Sequence, residues 1–191
     1  MPPEIIPPSP PLSPAEALKK FKIAPGFKIQ TVAHEPDIQA PIALQFDPDG
    51  RIWVLEMRGF MPNADGTGED KPVGRVSILE DADGDGVAEK YKVFLDGLVM
   101  PRAFLLVRNG LLLAEPPKLW FYPIQNDRPG DRVLVDESYA READPSLGKK
   151  ANPEHAANSL TLAMDNWIYS LDHTQRYRFS DGKWLAEPSP K

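Results

Sequence analysis

Three segments of the chain repeat one plan, and this repetition constrains the fold more than any other feature. "APIALQFDPDGRIWVLE" at 40–56, "MPRAFLLVRNGLLLAEP" at 100–116 and "HAANSLTLAMDNWIYSL" at 155–171 each read as a strand, a tight turn and an apolar strand. Asp49, Asn109 and Asp165 occupy the same turn position, at spacings of 60 and 56 residues. Asn-Gly and Asp-Gly supply the positive φ angles that a two-residue hairpin turn needs. Around these segments lie "FKIQTVA", "RVSILE", "KYKVFL", "KLWFY", "DRVLVD" and "RYRFS", short runs rich in β-branched and aromatic residues and separated by Gly, Pro, Asp or Asn. The chain reads as all-β.

Each repeat continues into further strands, as "GRVSILE" and "KYKVFL" follow the first. Three copies of a unit of about four strands, each longer than the ~40–50 residues of common blade repeats, predict a partial β-propeller of about three blades. A sandwich with similar hairpins is the alternative, but recurrence in both pattern and spacing favours the propeller. Three blades leave open edges. The chain is therefore expected to be part of a larger propeller, or to complete one with another chain.

Residues 1–14 hold seven of the 22 prolines and read as an extended tether, with 15–191 as the propeller portion. A short helix is expected where they meet. Ser13 can cap it, Pro14 suits its first position, Glu16 falls in its first turn, and Leu18 and Phe21 lie three apart on one face.

Composition removes several function classes. With 22 Lys and Arg against 28 Asp and Glu, the net charge is −6 and the basic residues are scattered, which argues against nucleic acid and anionic membrane as partners. The absence of cysteine excludes disulfides, thiolate zinc sites, iron–sulfur clusters and CxxCH haem attachment within this sequence. No apolar run is long enough to span a bilayer as a helix, and the N-terminus lacks the basic start and apolar stretch of a signal peptide. An exported chain whose signal had been removed would read the same.

"DADGDGVAEK" is the strongest site signal. Asp81, Asp83 and Asp85 stand at positions one, three and five, Gly86 at six, Val87 offers a carbonyl at seven and Glu89 stands at nine. Calcium takes six to eight oxygens at about 2.3–2.6 Å, and a loop that turns at glycine can wrap alternate carboxylates around one point. Position twelve is Lys92 and the flanks are strands, unlike the helix–loop–helix calcium hand. A solvated acidic turn is the competing reading. A second acidic loop at 62–72, with Asp65, Glu69 and Asp70, lacks the alternate spacing.

The histidines are His34, His155 and His173. His34 reads as a surface residue at a strand end. His155 precedes the inner strand of the third repeat, which borders the central channel of a propeller, and an imidazole there is suited to taking a proton near neutral pH. A hydrogen-bonded histidine at a blade edge is the alternative. Arg58 and Arg102 lie near the ends of inner strands and are candidate anion anchors. No GxSxG, P-loop, HExxH or GxGxxG motif is present.

"PLSPAEALKKFKIAPGFKIQTVAHEP", "DPDGRIWVLEMRGFMPNADGTGEDKPVGRVSILEDADGDG", "VFLDGLVMPRAFLLVRNGLLLAEPPKLWFY" and "PEHAANSLTLAMDNWIYSLDHTQRYRF" together resemble the N-terminal half of the PVC-type membrane-bound dehydrogenase proteins. These are exported bacterial proteins similar to soluble quinoprotein glucose and sorbosone dehydrogenases. The resemblance implies a six-bladed propeller whose channel holds pyrroloquinoline quinone and calcium. It also implies a sugar or aldehyde substrate, a cytochrome c domain or protein as electron acceptor, and a periplasmic or extracellular location. His155 matches the general base of the H-x-x-G-R-L motif, and Asn158 and Ser159 stand where that motif has glycine and arginine. Arg58, Arg102 and Asn158 are the candidate cofactor contacts. A calcium-stabilised propeller module that binds protein or carbohydrate without catalysis is the second expectation.

Overall fold

The computed structural model describes residues 10–190, so the first nine residues of the expected tether lie outside the described residues. The helix, α1 (Pro14–Leu18), has the expected capping box. Ser13 Oγ accepts the Glu16 N–H, and Glu16 Oε2 accepts the Ser13 N–H at 2.9 Å. α1 buries no residue, and Phe21, expected on its face, lies beyond its end and is exposed. With only five residues, the helix depends on its cap.

Thirteen strands follow: β1 (Pro41–Phe46), β2 (Ile52–Glu56), β3 (Gly74–Glu80), β4 (Lys90–Leu98), β5 (Ala103–Val107), β6 (Gly110–Glu115), β7 (Lys118–Gln125), β8 (Arg128–Pro129), β9 (Val133–Asp136), β10 (Asn158–Leu162), β11 (Ile168–Leu171), β12 (Gln175–Ser180) and β13 (Lys183–Pro188). They form three consecutive antiparallel up-and-down sheets, β1 to β4, β5 to β9 and β10 to β13. In the middle sheet the fourth position is shared, since β8 and β9 both pair with β7. β5 contacts β1 on one side and β10 on the other, so the first strands stand together as the inner strands of successive blades. This is a partial propeller of three blades with one short helix, as the repeats predict.

The core is two apolar layers between blades, with a smaller cluster of Ile38, Val54 and Leu79 on the first blade. Trp53, Leu55, Val76, Ile78 and Phe94 of the first blade meet Phe104, Leu111, Leu113 and Tyr122 of the second. Leu105, Leu112, Leu119 and Phe121 meet Leu160, Ile168 and Tyr177 of the third. The continuous apolar run "LLLA" of β6 follows from this geometry. Its side chains alternate between two buried faces, so no position is left for a polar residue.

Two of the three hairpin turns depart from the two-residue expectation. In the first and third blades Asp47 and Ala163 pair with Arg51 and Trp167 across three-residue loops, whose last residue, Gly50 or Asn166, has positive φ. In the second blade Val107 pairs with Gly110, and the two turn residues are Arg108 and Asn109, both with positive φ. Gly110 belongs to the strand. A Cβ there would come within 2.5 Å of Phe121 Cε2 and 2.8 Å of the Tyr122 carbonyl oxygen, so this glycine is required by packing.

Two further departures concern strand partners. "FKIQTVA" forms no strand; it is held by loop 81–89, where the Val32 carbonyl accepts the Ala88 N–H at 2.9 Å and Gln30 Nε2 donates to the Asp85 carbonyl at 2.8 Å. Alternation makes a strand only where a strand edge is free to receive it. Conversely, "KWLAEP" forms β13, paired with β12 through Asp181-Gly182, both at positive φ.

Candidate functional site

Loop 81–89 joins β3 to β4, so a tight strand pair fixes both of its ends. Asp81 organises the turn. Its Oδ1 accepts the Gly84 N–H at 2.7 Å and its Oδ2 accepts the Gly86 N–H at 2.8 Å. Asp83 and Asp85 accept the N–H groups of Asp85 and Val87, and Glu89 accepts that of Ala82. Gly84 and Gly86 take the positive φ angles that let the chain curl. As a result one carboxylate oxygen from each of Asp81, Asp83, Asp85 and Glu89 lies within 4.8 Å of the others. All four residues are exposed. An all-oxygen cluster of this charge suits a hard dication such as calcium. The loop at 62–72 folds on itself instead: Asn63 Oδ1 accepts the Asp65 and Thr67 N–H groups and Glu69 Oε1 accepts that of Met61.

The inner strands line an open cleft of about 420 Å³. Arg102, Asn158, Ser159 and Thr161 give it polar walls, with Ala43, Met57 and Ala103 among its apolar ones. Arg102, immediately before β5, and Asn158, the first residue of β10, thus line the same cleft. Arg102 is 9% exposed; its Nε donates to the Ala157 carbonyl at 3.2 Å and its Nη2 to the Ala156 carbonyl at 3.3 Å. Its Nη1 has no hydrogen-bond partner among the described residues. Burial pulls the guanidinium's pKa down, against the opposing influence of Tyr139 and Glu142, and an arginine so perturbed stays charged. Asn158 Nδ2 donates to the Ala156 carbonyl, while its Oδ1 accepts from Ser159 Oγ.

Two other expected residues stand apart. His155 is exposed, ends the 3-10 turn Pro153–His155 and does not line the cleft. Arg58 is engaged by Glu56, with Nη2 at 2.5 Å and Nε at 2.9 Å from Oε2. The expectation of Arg58 as a channel anion anchor is thus replaced by an ion pair with a fully buried carboxylate. His34 is exposed, as expected, with Nδ1 at 2.5 Å from the Glu35 carbonyl.

Sequence reasoning missed Glu56 and the network around His173. Glu56 also accepts the Ser77 hydroxyl at 2.6 Å and the Gln39 N–H at 2.8 Å. Its counterpart Glu115 accepts the Val99 N–H at 2.8 Å. The shared glutamate closing "WVLE" and "LLAE" was the available signal. Near the third blade, Tyr177 Oη donates to Asp136 Oδ2 at 2.6 Å and lies 2.6 Å from His173 Nε2. A hydroxyl has one proton, so His173 Nε2 is the donor in that contact. Burial pushes the Asp136 carboxyl upward, but hydrogen bonds from His173, Tyr177 and Ser138 outweigh it and hold the group well below the usual carboxylate range. Burial pushes the Tyr139 phenol up to about 12, and its Oη lies 2.7 Å from Ser170 Oγ, which donates to the Asn158 carbonyl at 2.8 Å. This network fixes the entry to β10 and thereby the position of Asn158.

Fold and site together define a blade-repeat protein with an acidic hairpin loop and a polar cleft on its inner strands. The chain belongs to the family described as "Domain of unknown function (DUF7133)", whose profile matches residues 13–183. No curated protein sequence matches it. Among solved structures it is similar to a gluconolactonase from Xanthomonas campestris, with 18% identity, 85% of this chain and 52% of that chain covered, and a TM-score of 0.49. It is also similar to a structural-genomics gluconolactonase candidate, with 16% identity, coverage of 79% and 48%, and a TM-score of 0.45. The chain spans about half the length of these structures.

Proposed function

We propose that the chain is the N-terminal portion of an exported propeller dehydrogenase that oxidises a sugar or aldehyde with a pyrroloquinoline quinone type cofactor. The observation that carries this reading is the cleft lined by Arg102, which immediately precedes β5, and by Asn158, Ser159 and Thr161 of β10. Pyrroloquinoline quinone is a polycarboxylate, and the positive charge of Arg102 beside the cleft suits it. The quinone, when bound, supplies a two-electron acceptor. The chain's own contributions are the fixed Arg102 fork, the Asn158 amide held by Ala156, and the His155 imidazole as the group that takes a hydroxyl proton. Loop 81–89 holds calcium and pins the first blade. Electrons leave to a cytochrome c domain or protein, and the location is periplasmic or extracellular.

The remaining blades complete the site. Leu44 and Phe46 on β1 correspond in register to Phe104 and Leu106 on β5, which face the preceding blade. Leu44 and Phe46 are 60% and 65% exposed, so the first blade presents the same apolar face with no blade upon it. A further blade of the propeller fits there.

The test measures reduction of an artificial electron acceptor by the chain with quinone, calcium and sugar, alone and joined to the further blades. Activity that needs all three additions and is lost in His155→Ala supports the dehydrogenase. Absence of activity in the completed propeller overturns it. The second reading, a calcium-stabilised binding module without catalysis, is favoured by His155 standing off the cleft. It predicts a calcium-dependent melting temperature without quinone binding.

A further inference from the structure

We propose that residues 27–33 are the outermost strand of the blade that precedes the first one. The three inner strands of that blade come from outside the described residues, as an antiparallel sheet with one apolar face and one free edge. The proposal rests on the reading of this chain as the first blades of a larger propeller, and it names what the chain gives to the blade that closes the ring.

In the repeat, each inner strand is preceded in the chain by the outer strand of the blade before it. β5 follows β4, the outer strand of the first blade, and β10 follows β9, at the outer position of the second. The entry to β1 is built like the entry to β5. The Gln39 and Val99 N–H groups donate to Glu56 and Glu115, each at 2.8 Å, and each follows a buried residue, Ile38 or Leu98. Leu98 ends β4. Upstream of Ile38, beyond a turn closed by the Asp37 N–H and the His34 carbonyl at 3.0 Å, stands "FKIQTVA". Its neighbours are also those of an outer strand. β4 touches β8, in the outer hairpin of the second blade, and residues 27–33 are held likewise by loop 81–89 of the first.

The segment has the free groups that pairing needs. It runs from Phe27 to His34 without a turn or bend, and the N–H groups of residues 28–33 donate to no main-chain carbonyl among the described residues. In an extended chain Phe27, Ile29 and Ala33 share one side, and Ala33 packs against the cluster of Ile38, Val54 and Leu79. Phe94 of β4 likewise packs into the layer between the first and second blades. A row of free donors beside an apolar surface is an edge that takes on further strands. Residues 10–26 hold α1 and no strand, so the inner strands come from elsewhere. The established blade joint identifies them as a blade: Leu44 and Phe46 stand in register with Phe104 and Leu106, which pack on the preceding blade. A groove of about 520 Å³ is walled both by Val32 and Ala33 of the segment and by Ile42, Leu44 and Phe46 of β1. One apolar sheet seated there covers the face and brings its edge to the segment.

Hydrogen exchange of amides 28–33 is followed by mass spectrometry in the chain alone and in the chain joined to the further blades. These amides should exchange freely in the chain alone and slow by roughly a hundredfold or more in the completed propeller. Lys28→Pro and Ile29→Pro give a second readout. Neighbouring N–H groups of a strand point opposite ways, so one of the two prolines removes a ladder donor. That one should lower the melting temperature of the completed propeller by about 5 °C or more, the other should lower it less, and both should leave the chain alone unchanged. Amides 28–33 that stay unprotected in the completed propeller, or prolines without effect there, overturn the proposal. Protection in the chain alone that rises with its concentration assigns the edge to a second copy and also overturns it. Protection in a completed propeller that reduces no acceptor leaves the strand standing and removes the dehydrogenase. Acceptor reduction with these amides unprotected does the reverse.

Discussion

Glu56, at the end of β2, accepts the main-chain N–H of Gln39 at 2.8 Å, and so ties the chain entering the first blade to its second strand. Glu115 and Val99 repeat the contact in the second blade at the same distance. Each contact precedes a residue of positive φ, Ala40 or Met100, and then Pro41 or Pro101, so the carboxylate holds the turn that feeds an inner strand.

Glu56 is fully buried and also holds Arg58 and Ser77, whereas Glu115 is partly exposed. Glu56→Gln should therefore cost about 2–3 kcal/mol through the weakened buried ion pair, and Glu115→Gln about 1 kcal/mol. Urea unfolding of both variants measures the difference, and equal costs would remove the role given to burial.

The two hairpin glycines should respond differently to alanine. Gly50→Ala meets open space and suffers only its positive φ, at a cost of about 1 kcal/mol. Gly110→Ala drives a methyl group into Phe121 and the Tyr122 carbonyl, at a cost of about 3 kcal/mol or more. Thermal melts of the pair distinguish a conformational requirement from a packing one.

Calcium at a hundredfold excess over its Kd should add about 2.7 kcal/mol and raise the melting temperature by about 5–10 °C, with chelator reversing the gain. Asp83→Asn should reduce that gain while leaving the calcium-free melt nearly unchanged. Asp81→Ala should lower the calcium-free melt as well, because Asp81 holds the Gly84 and Gly86 N–H groups. A calcium response that survives both substitutions would place the ion elsewhere.

Asp136 sets an acid limit. Its folded pKa is depressed, so its contribution is present above the unfolded carboxylate value of about 3.9 and is lost as pH falls through the folded value. Stability measured from pH 6 down to pH 2 should fall more steeply in the wild type than in Asp136→Asn, which has no proton to take up. Parallel curves would show that the Tyr177 and His173 contacts do not perturb this carboxylate.

Sequence by itself determined the all-β class, the three-blade repeat, the capped helix and the acidic loop between two strands. Each depends on neighbours in the chain: alternation fixes which side chains share a face, turn residues fix where strands reverse, and alternate aspartates converge once glycines curl the loop. The tertiary structure decided the rest. Whether "FKIQTVA" became a strand depended on a partner edge, and whether Gly110 was a turn residue depended on Phe121 above it. Arg58 and Arg102 look alike in sequence, but one meets the buried Glu56 carboxylate and the other the main-chain carbonyls of Ala156 and Ala157. Charge pairing is a matter of distance in space, and residues such as Arg102 and Ala157, 55 positions apart, acquire a distance only when blades pack.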